Sequence, residues 1–148
     1  MPDPHPSGLR LSQIDDLHQR ATETAHNSHS PYSHFRVGAA LLLEAPGQSE
    51  PVVVTGTNVE NASFRLTTCA EQAAIATAVG LYGSDIRIRA VTVVNLNGAA
   101  CMPCGACRQT ILEFSLPETW VFYPNGNGTI AEVTLADLLP AAFRLRTD

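Results

Sequence analysis

The sequence lacks three features that would assign it to other classes of protein. No apolar run approaches the ~20 residues that a membrane-spanning helix requires, and the first residues show neither the basic nor the apolar region of a secretory signal. No basic run is present, and nine Lys and Arg against fourteen Asp and Glu give a net charge of −5. We therefore expect a cytoplasmic protein that acts on a small molecule, with neither nucleic acid nor a membrane as its partner.

Repeats, linkers and low-complexity tracts are also absent, and 148 residues with 45% hydrophobic content fit one domain spanning residues 1–148. Apolar periodicity predicts four helices, with Ser12 and Thr68 as the N-caps of the first two. Five strands are predicted at VGAALLLE, PVVVTGT, IRIRAVTVVNL, TWVFYP and TIAEVT. Strands that alternate with helices predict an α/β domain in which a mixed sheet is flanked by helices.

Cysteine is scarce, and its four copies are Cys69, Cys101, Cys104 and Cys107. In a reducing compartment, closely spaced cysteines more often bind metal or perform chemistry than form disulfides. Cys69 opens one predicted helix, and Cys104 with Cys107 opens another after Pro103. Helix N-termini favour the thiolate, the form that binds metal. Three thiolates would leave zinc one open position for water, which makes it a Lewis acid that generates hydroxide.

Cys101 leaves two alternatives open. With Cys101 as a fourth ligand the site would be a closed, structural zinc site, and the protein a non-catalytic metal-binding module. The Cys101-x-x-Cys104-x-x-Cys107 spacing is also typical of part of an iron–sulfur ligand run. Spacing alone excludes neither alternative.

Glu71 favours the catalytic interpretation. In zinc deaminases a metal ligand, one spacer and a general acid/base Glu precede a later Pro-Cys-x-x-Cys. Cys69-Ala70-Glu71 and the residues 103–107 fit this pattern, with Cys in the place of His. Glu71 by itself would also fit a capping box with Thr68, but the joint match favours a deaminase.

Five segments resemble the homotetrameric, zinc-dependent cytidine deaminase family, in its order and at about its spacing. They are SPYSHFRVGAALL, TGTNVENASF, CAEQAAI, PCGACRQ and LLPAAF, and the resemblance covers nearly the whole chain. It implies hydrolytic deamination of cytidine and deoxycytidine to uridine and deoxyuridine, in pyrimidine salvage. It also implies a three-layer fold with a mixed five-stranded sheet, one Zn²⁺ per subunit, and a homotetramer with active sites shared between subunits.

The resemblance assigns roles position by position. These are metal ligation by Cys69, Cys104 and Cys107, proton transfer by Glu71, and substrate binding by Phe35, Asn58, Glu60, Ala70 and Phe143. Asn58 and Glu60, as alternate residues at a strand end, are expected to point to one side and to offer an amide and a carboxylate to ribose hydroxyls. For Phe35 and Phe143, residue chemistry alone favours core packing, so their roles depend on the resemblance.

Two positions depart from the family's usual pattern. Gln72 stands where Arg is usual, and Phe64 stands where Tyr is frequent. Neither change removes a ligand or the general base, so they bear on rate and substrate preference. A deaminase of modified nucleosides or of a polynucleotide is the remaining alternative. The acidic charge argues against a polynucleotide, and Asn58 with Glu60 argues for a free ribose.

Overall fold

The computed structural model describes residues 5–145. Four α-helices lie in this part of the chain: α1 (Leu11–Ala25), α2 (Ala70–Tyr82), α3 (Gly105–Glu113) and α4 (Leu135–Leu138). The five strands are β1 (Val37–Glu44), β2 (Val52–Thr57), β3 (Arg87–Asn95), β4 (Ser115–Pro124) and β5 (Ile130–Thr134), and a 3₁₀-helix spans Phe64–Leu66. None of the helices in residues 5–145 has the length and apolarity needed to cross a membrane.

The strands form one mixed sheet in the order β2-β1-β3-β4-β5. All neighbouring pairs are antiparallel except β3 and β4, which are parallel and are connected through α3. Strand β1 lies between β2 and β3 and is buried on both faces, which explains why its sequence is almost uniformly apolar. The predicted five-stranded mixed sheet is confirmed.

The sheet separates two apolar layers. On one face, Leu17 and Ala21 of α1 pack with Ala40 and Leu42 of β1. On the other face, Leu41 belongs to a larger cluster that includes residues of α2, α3 and α4. Since successive side chains of a strand point to opposite faces, β1 contributes alternate residues to the two layers.

Two glycines bring helices into backbone contact with the sheet. A Cβ placed on Gly38 of β1 would lie 2.0 Å from the Ala21 carbonyl oxygen of α1. A Cβ placed on Gly56 of β2 would lie 2.4 Å from the Ala74 nitrogen of α2. Both helices therefore contact the sheet backbone directly, with no side chain between them. At Gly56 this contact sets the distance between the sheet and α2, the helix that begins at Ala70.

The predicted N-caps at Ser12 and Thr68 are wrong. Helix α1 has Arg10 as its N-cap, and the Arg10 backbone N–H donates to the Gln13 side-chain oxygen at 2.9 Å. Thr68 exchanges two backbone hydrogen bonds of 2.9 Å with Val59, so it stays extended and the helix begins after the next residue.

Candidate active site

A cavity of about 230 Å³ opens beside the carboxyl ends of the parallel strands β3 and β4. The loop after β3 passes the end of β4, because the Cys101 backbone N–H donates to the Pro124 carbonyl at 3.0 Å. The cavity is lined by Phe35, Val37, Asn58, Thr67, Cys69, Ala70, Glu71, Cys101, Met102, Cys104 and Cys107. All the predicted site residues except Glu60 and Phe143 are among them.

Two helix starts bring three cysteines together. Cys69 is the N-cap of α2, Cys104 is the N-cap of α3, and Cys107 lies in the first turn of α3. Their sulfur atoms all lie within 4.8 Å of one another. A tetrahedral zinc with Zn–S bonds of about 2.3 Å holds its sulfurs roughly 3.8 Å apart. Three thiolates at this spacing fit zinc with a small adjustment of side-chain torsions.

The pKa values of Cys69 and Cys107 shift in opposite directions in the metal-free cluster. The hydrogen bond from the Cys107 thiol lowers the pKa of Cys69 to about 7, although partial burial opposes the shift. The same hydrogen bond, followed by burial, raises the pKa of Cys107. One thiolate therefore forms near neutral pH without metal. Any cysteine of the three-cysteine cluster that still carries a proton must release it when metal binds.

Cys101 lines the same cavity, but its sulfur does not belong to the three-cysteine cluster formed within residues 5–145. Burial, followed by the negative charge of Glu71, raises the pKa of Cys101 to about 11, although the Asn95 side chain opposes the shift. A half-buried thiol that stays protonated at neutral pH is a poor metal ligand. The geometry therefore favours three cysteine ligands over four.

Glu71 is the acidic group of the cavity, and its side chain is only 5% exposed. Burial raises the pKa of Glu71, while hydrogen bonds from its own backbone N–H and from the Cys107 thiol oppose the shift. With Cys69 as the N-cap, Glu71 is the second helical residue, so the capping box with Thr68 does not form. A carboxyl group with a raised pKa beside a metal site is suited to take up and release a proton.

Gln72 contacts the cluster directly. Its Nε2 donates to the Cys107 sulfur at 3.7 Å, so an uncharged amide stands where an arginine is usual in the family that the sequence resembles. The guanidinium of Arg108, the residue after Cys107, points elsewhere and donates to the carbonyls of Pro103 and Leu138. The hydrogen bond that the Cys107 sulfur receives from Gln72 is weaker than one from a charged donor.

Asn58 and Phe35 lie beside the first residue of β1. The Asn58 Oδ1 accepts hydrogen bonds from the Val37 N–H at 3.0 Å and from the Ser28 hydroxyl at 2.5 Å. Its Nδ2 donates to the Phe35 carbonyl at 2.8 Å. An amide group has two N–H donors, so one N–H of Asn58 remains for a ligand in the cavity.

Glu60 lines a neighbouring cavity, which shares Thr67 with the first. Its carboxylate accepts hydrogen bonds from the backbone N–H groups of Tyr32 and Ser33, at 3.0 and 3.2 Å, and from the Ser33 hydroxyl at 2.5 Å. The Ser33 side chain is the main reason that the pKa of Glu60 is lowered. Within one chain, Glu60 and Asn58 therefore face different cavities.

Phe143 and Ala70 differ most in their exposure. Ala70 is 1% exposed and lies in the cavity wall at the start of α2. Phe143 is 71% exposed and does not line the cavity of its own chain. The Gln109 side chain holds the Phe143 carbonyl at 3.0 Å, so the backbone of this exposed residue has a defined position.

The sequence analysis did not single out Thr67, Met102 and Val37 as cavity residues. Met102 is 48% exposed and lies between the two cysteines of the loop, which was the one available signal. Val37 is a buried apolar residue at the start of a strand, and Thr67 precedes α2 by three positions. Their residue types carry no pattern that separates them from ordinary core and turn residues.

The family model of the cytidine and deoxycytidylate deaminase zinc-binding region matches residues 11–123. The chain belongs to the cytidine deaminase family. The matched region contains the three cysteines and Glu71, so the zinc-binding region of the family and the cysteine cluster coincide in this chain.

Individual relatives agree with the family model. A cytidine deaminase of Halalkalibacterium halodurans is 39% identical over 127 residues, which cover 86% of this chain and 91% of that protein. The crystal structure of cytidine deaminase from Mycobacterium tuberculosis has a TM-score of 0.74 at 39% identity, covering 89% of this chain and 98% of the other. The cytidine deaminase structure from Burkholderia pseudomallei has a TM-score of 0.73 at 36% identity, covering 87% and 98%.

Proposed function

We propose that the protein catalyses the hydrolytic deamination of cytidine and deoxycytidine, which yields uridine or deoxyuridine and ammonia. The observation that carries the proposal is the buried carboxyl group of Glu71 in one cavity with the three clustered cysteines. Family membership and relatives that are named cytidine deaminases support the same reaction.

Cys69, Cys104 and Cys107 would hold Zn²⁺, which supplies Lewis-acid chemistry and a hydroxide nucleophile near neutral pH. Glu71 takes a proton from the attacking water and delivers it to ring nitrogen N3 while carbon 4 is attacked. The same carboxyl group then takes the second proton of that water from the hydroxyl now on carbon 4 and gives it to the amino group. The carbon–nitrogen bond breaks, ammonia leaves and the carbonyl of uridine forms, so Glu71 acts as base and as acid in turn. Its raised pKa favours this alternation, because a carboxyl group with a higher pKa holds the proton more firmly and can still release it to the substrate.

The cavity lining favours a nucleoside over a nucleotide. Phe35 would pack against the base, the Ala70 backbone would contact the pyrimidine, and the free N–H of Asn58 would reach a ribose hydroxyl. No arginine is among the lining residues that the described part of the chain contributes, and the sequence contains no lysine. A phosphate would therefore lack the charged donors that normally bind it.

We further propose a homotetramer that shares its sites and serves pyrimidine salvage in the cytoplasm. Phe143 is 71% exposed and Phe64 is 73% exposed, and contacts between subunits would remove these large apolar side chains from water. In the tetramer Phe143 would close the site of a neighbouring subunit, and Glu60 would contribute to ribose binding once that neighbour has shaped the outer cavity.

Ammonia release from a panel of nucleosides tests the reaction. Cytidine and deoxycytidine should be deaminated, whereas deoxycytidylate and single-stranded DNA should react far more slowly. The matched control is Glu71→Gln, which keeps the shape of the side chain and the cysteine ligands. Zinc-loaded Glu71→Gln should lose nearly all turnover, and near-wild-type activity in that variant would refute the role of Glu71.

Subunit mixing tests the shared sites. A Phe143→Ala chain and a Glu71→Gln chain each lack one component of a site. If Phe143 acts in a neighbouring subunit, mixed oligomers should regain activity that neither parent shows. Sedimentation of a fully active monomer would overturn the proposed tetramer.

A further inference from the structure

Two adjacent residues of α3 hold the C-terminal segment, which comprises residues 138–145 of the described chain. The Arg108 Nη1 donates to the carbonyl of Leu138, the last residue of α4, at 2.8 Å. The Gln109 Nε2 donates to the Phe143 carbonyl at 3.0 Å. The segment is thus attached at its start and near its end to the helix that carries Cys107.

The same arginine also holds the loop that carries a metal ligand. Its Nε donates to the Pro103 carbonyl at 2.8 Å, and its Nη2 contacts the Met102 sulfur. Helical side chains lean toward the N-terminus of their helix, so Arg108 reaches back over the first turn to the residue that precedes Cys104. One guanidinium therefore joins the ligand loop to the end of α4.

The carbonyls of Pro103 and Leu138 have no hydrogen-bond donor within a helix, and Arg108 donates to both. Leu138 ends α4, and carbonyls in the last turn of a helix have no N–H ahead of them. Pro103 is buried and precedes the N-cap of α3. The fixed fork of an arginine suits two acceptors at once, whereas a lysine offers a single charged point.

We propose that Arg108 and Gln109 are positioning residues that set the C-terminal segment, and Phe143 within it, relative to the cysteine cluster. This inference rests on the proposed function, in which Phe143 contacts substrate in a neighbouring site. Arg108 acts on the ligand loop and on the segment, whereas Gln109 acts on the segment alone. The two residues should therefore give separable effects.

Hydrogen–deuterium exchange in peptides that span 135–145 measures the attachment without substrate. The Leu139 N–H donates to the Leu135 carbonyl at 2.9 Å, so this region contains a protected amide that reports on the end of α4. In Gln109→Ala and Arg108→Leu, exchange should become about tenfold faster, the change expected when one hydrogen bond of about 1.4 kcal/mol is lost. Thr110→Ala is the matched control, because the Thr110 hydroxyl donates only to Ala106 within α3.

Steady-state kinetics and the rate of zinc release distinguish a positioning role from a general loss of stability. Gln109→Ala should raise KM about tenfold with kcat and zinc release to a chelator nearly unchanged. Arg108→Leu should raise KM and also accelerate zinc release, because the Pro103 contact is lost too. Arg108→Lys should restore part of each effect, and Thr110→Ala should change neither.

Wild-type exchange rates in folded Arg108→Leu would overturn the proposal. If that variant does not fold, wild-type exchange or wild-type KM in Gln109→Ala would overturn it instead. Faster exchange with unchanged KM in either variant would refute the positioning role. A wild-type protein that does not deaminate cytidine would refute the proposed function, while exchange and zinc release would still judge the attachment.

Discussion

Gly56→Ala should lower activity by displacing α2, the helix that positions Cys69 and Glu71. The added Cβ would lie 2.4 Å from the Ala74 nitrogen, 2.7 Å from the Ala70 carbonyl oxygen and 2.8 Å from the Ala74 Cα. Since non-bonded heavy atoms prefer separations of about 3.5 Å, α2 must move by about 1 Å. The helix cannot move without carrying Cys69 and Glu71 with it.

The expected magnitudes follow from that displacement. Overpacking of this kind costs about 1–3 kcal/mol, which lowers the melting temperature by roughly 2–12 °C for a domain of this size. A displacement of about 1 Å at catalytic groups can cost about 100-fold in rate. The zinc-loaded, folded fraction of Gly56→Ala should therefore lose about two orders of magnitude in kcat.

Gly38→Ala is the matched control on the opposite face of the sheet. Its Cβ would lie 2.0 Å from the Ala21 carbonyl oxygen of α1, a helix that carries no site residue. It should lose at least as much stability as Gly56→Ala, yet keep kcat within about twofold, since the site is not displaced. Gly80→Ala, on α2 with open space around it, should stabilise the helix by about 0.5–1 kcal/mol and leave kcat unchanged.

The three glycine variants are compared by thermal melts, zinc content and kcat per zinc-loaded chain. The reasoning fails if folded Gly56→Ala keeps wild-type kcat. It also fails if Gly38→Ala, or Gly80→Ala should the former not fold, loses as much kcat as Gly56→Ala.

Three further predictions concern the metal cluster. Cys101→Ser should keep one zinc per chain and most of its activity, whereas Cys69→Ser should lose zinc; metal analysis showing the reverse would overturn the ligand assignment. In the metal-free protein, burial raises the pKa of Glu71, so its contribution to stability is complete below its unfolded pKa and declines as pH rises through the folded one. Metal-free Glu71→Gln should therefore melt above wild type at pH 8 and lose this advantage toward pH 4, and a pH-independent difference would contradict the burial argument. Gln72→Arg should slow zinc release to a chelator by about tenfold, because a charged donor would replace the amide on Cys107; an equal or faster release would show that this hydrogen bond does not hold the cluster.

The helices, the strands and the pair Cys104 and Cys107 were predictable from the sequence because each depends on short-range patterns, whereas the place of Cys69 beside them was expected from the joint deaminase pattern. The Cys104 and Cys107 spacing by itself places two sulfurs at one helix start, and the apolar run of β1 by itself predicts a buried strand. The N-cap of α2 was missed by one residue, because the backbone pairing of Thr68 with Val59 is a contact between segments that no local pattern encodes.

The substrate side of the site was harder for the same reason. Alternation predicted a common direction for Asn58 and Glu60, but β2 ends at Thr57 and the alternation ends with it. The hydrogen bonds of Ser33 to Glu60 and of Ser28 to Asn58 then turn the two side chains to different cavities. Strand β4 likewise begins at Ser115, before the predicted TWVFYP, because the buried Thr119 hydroxyl bonds the Ile88 carbonyl at 2.6 Å across a register shift.

The origin of the three sulfurs along the chain also ties metal supply to the lifetime of the protein. Cys104 and Cys107 meet within one helical turn, but Cys69 joins them only after α2 has packed on β1 and β2. The folded chain holds the three ligand sulfurs together, whereas an unfolded chain offers only the closely spaced cysteines of residues 101–107, so zinc binds the folded state more tightly. Each tenfold rise of free zinc above the dissociation constant adds up to about 1.4 kcal/mol to the free energy of unfolding. A cell short of zinc would thus hold not an idle pool of this enzyme but a chain that opens more often and is degraded sooner.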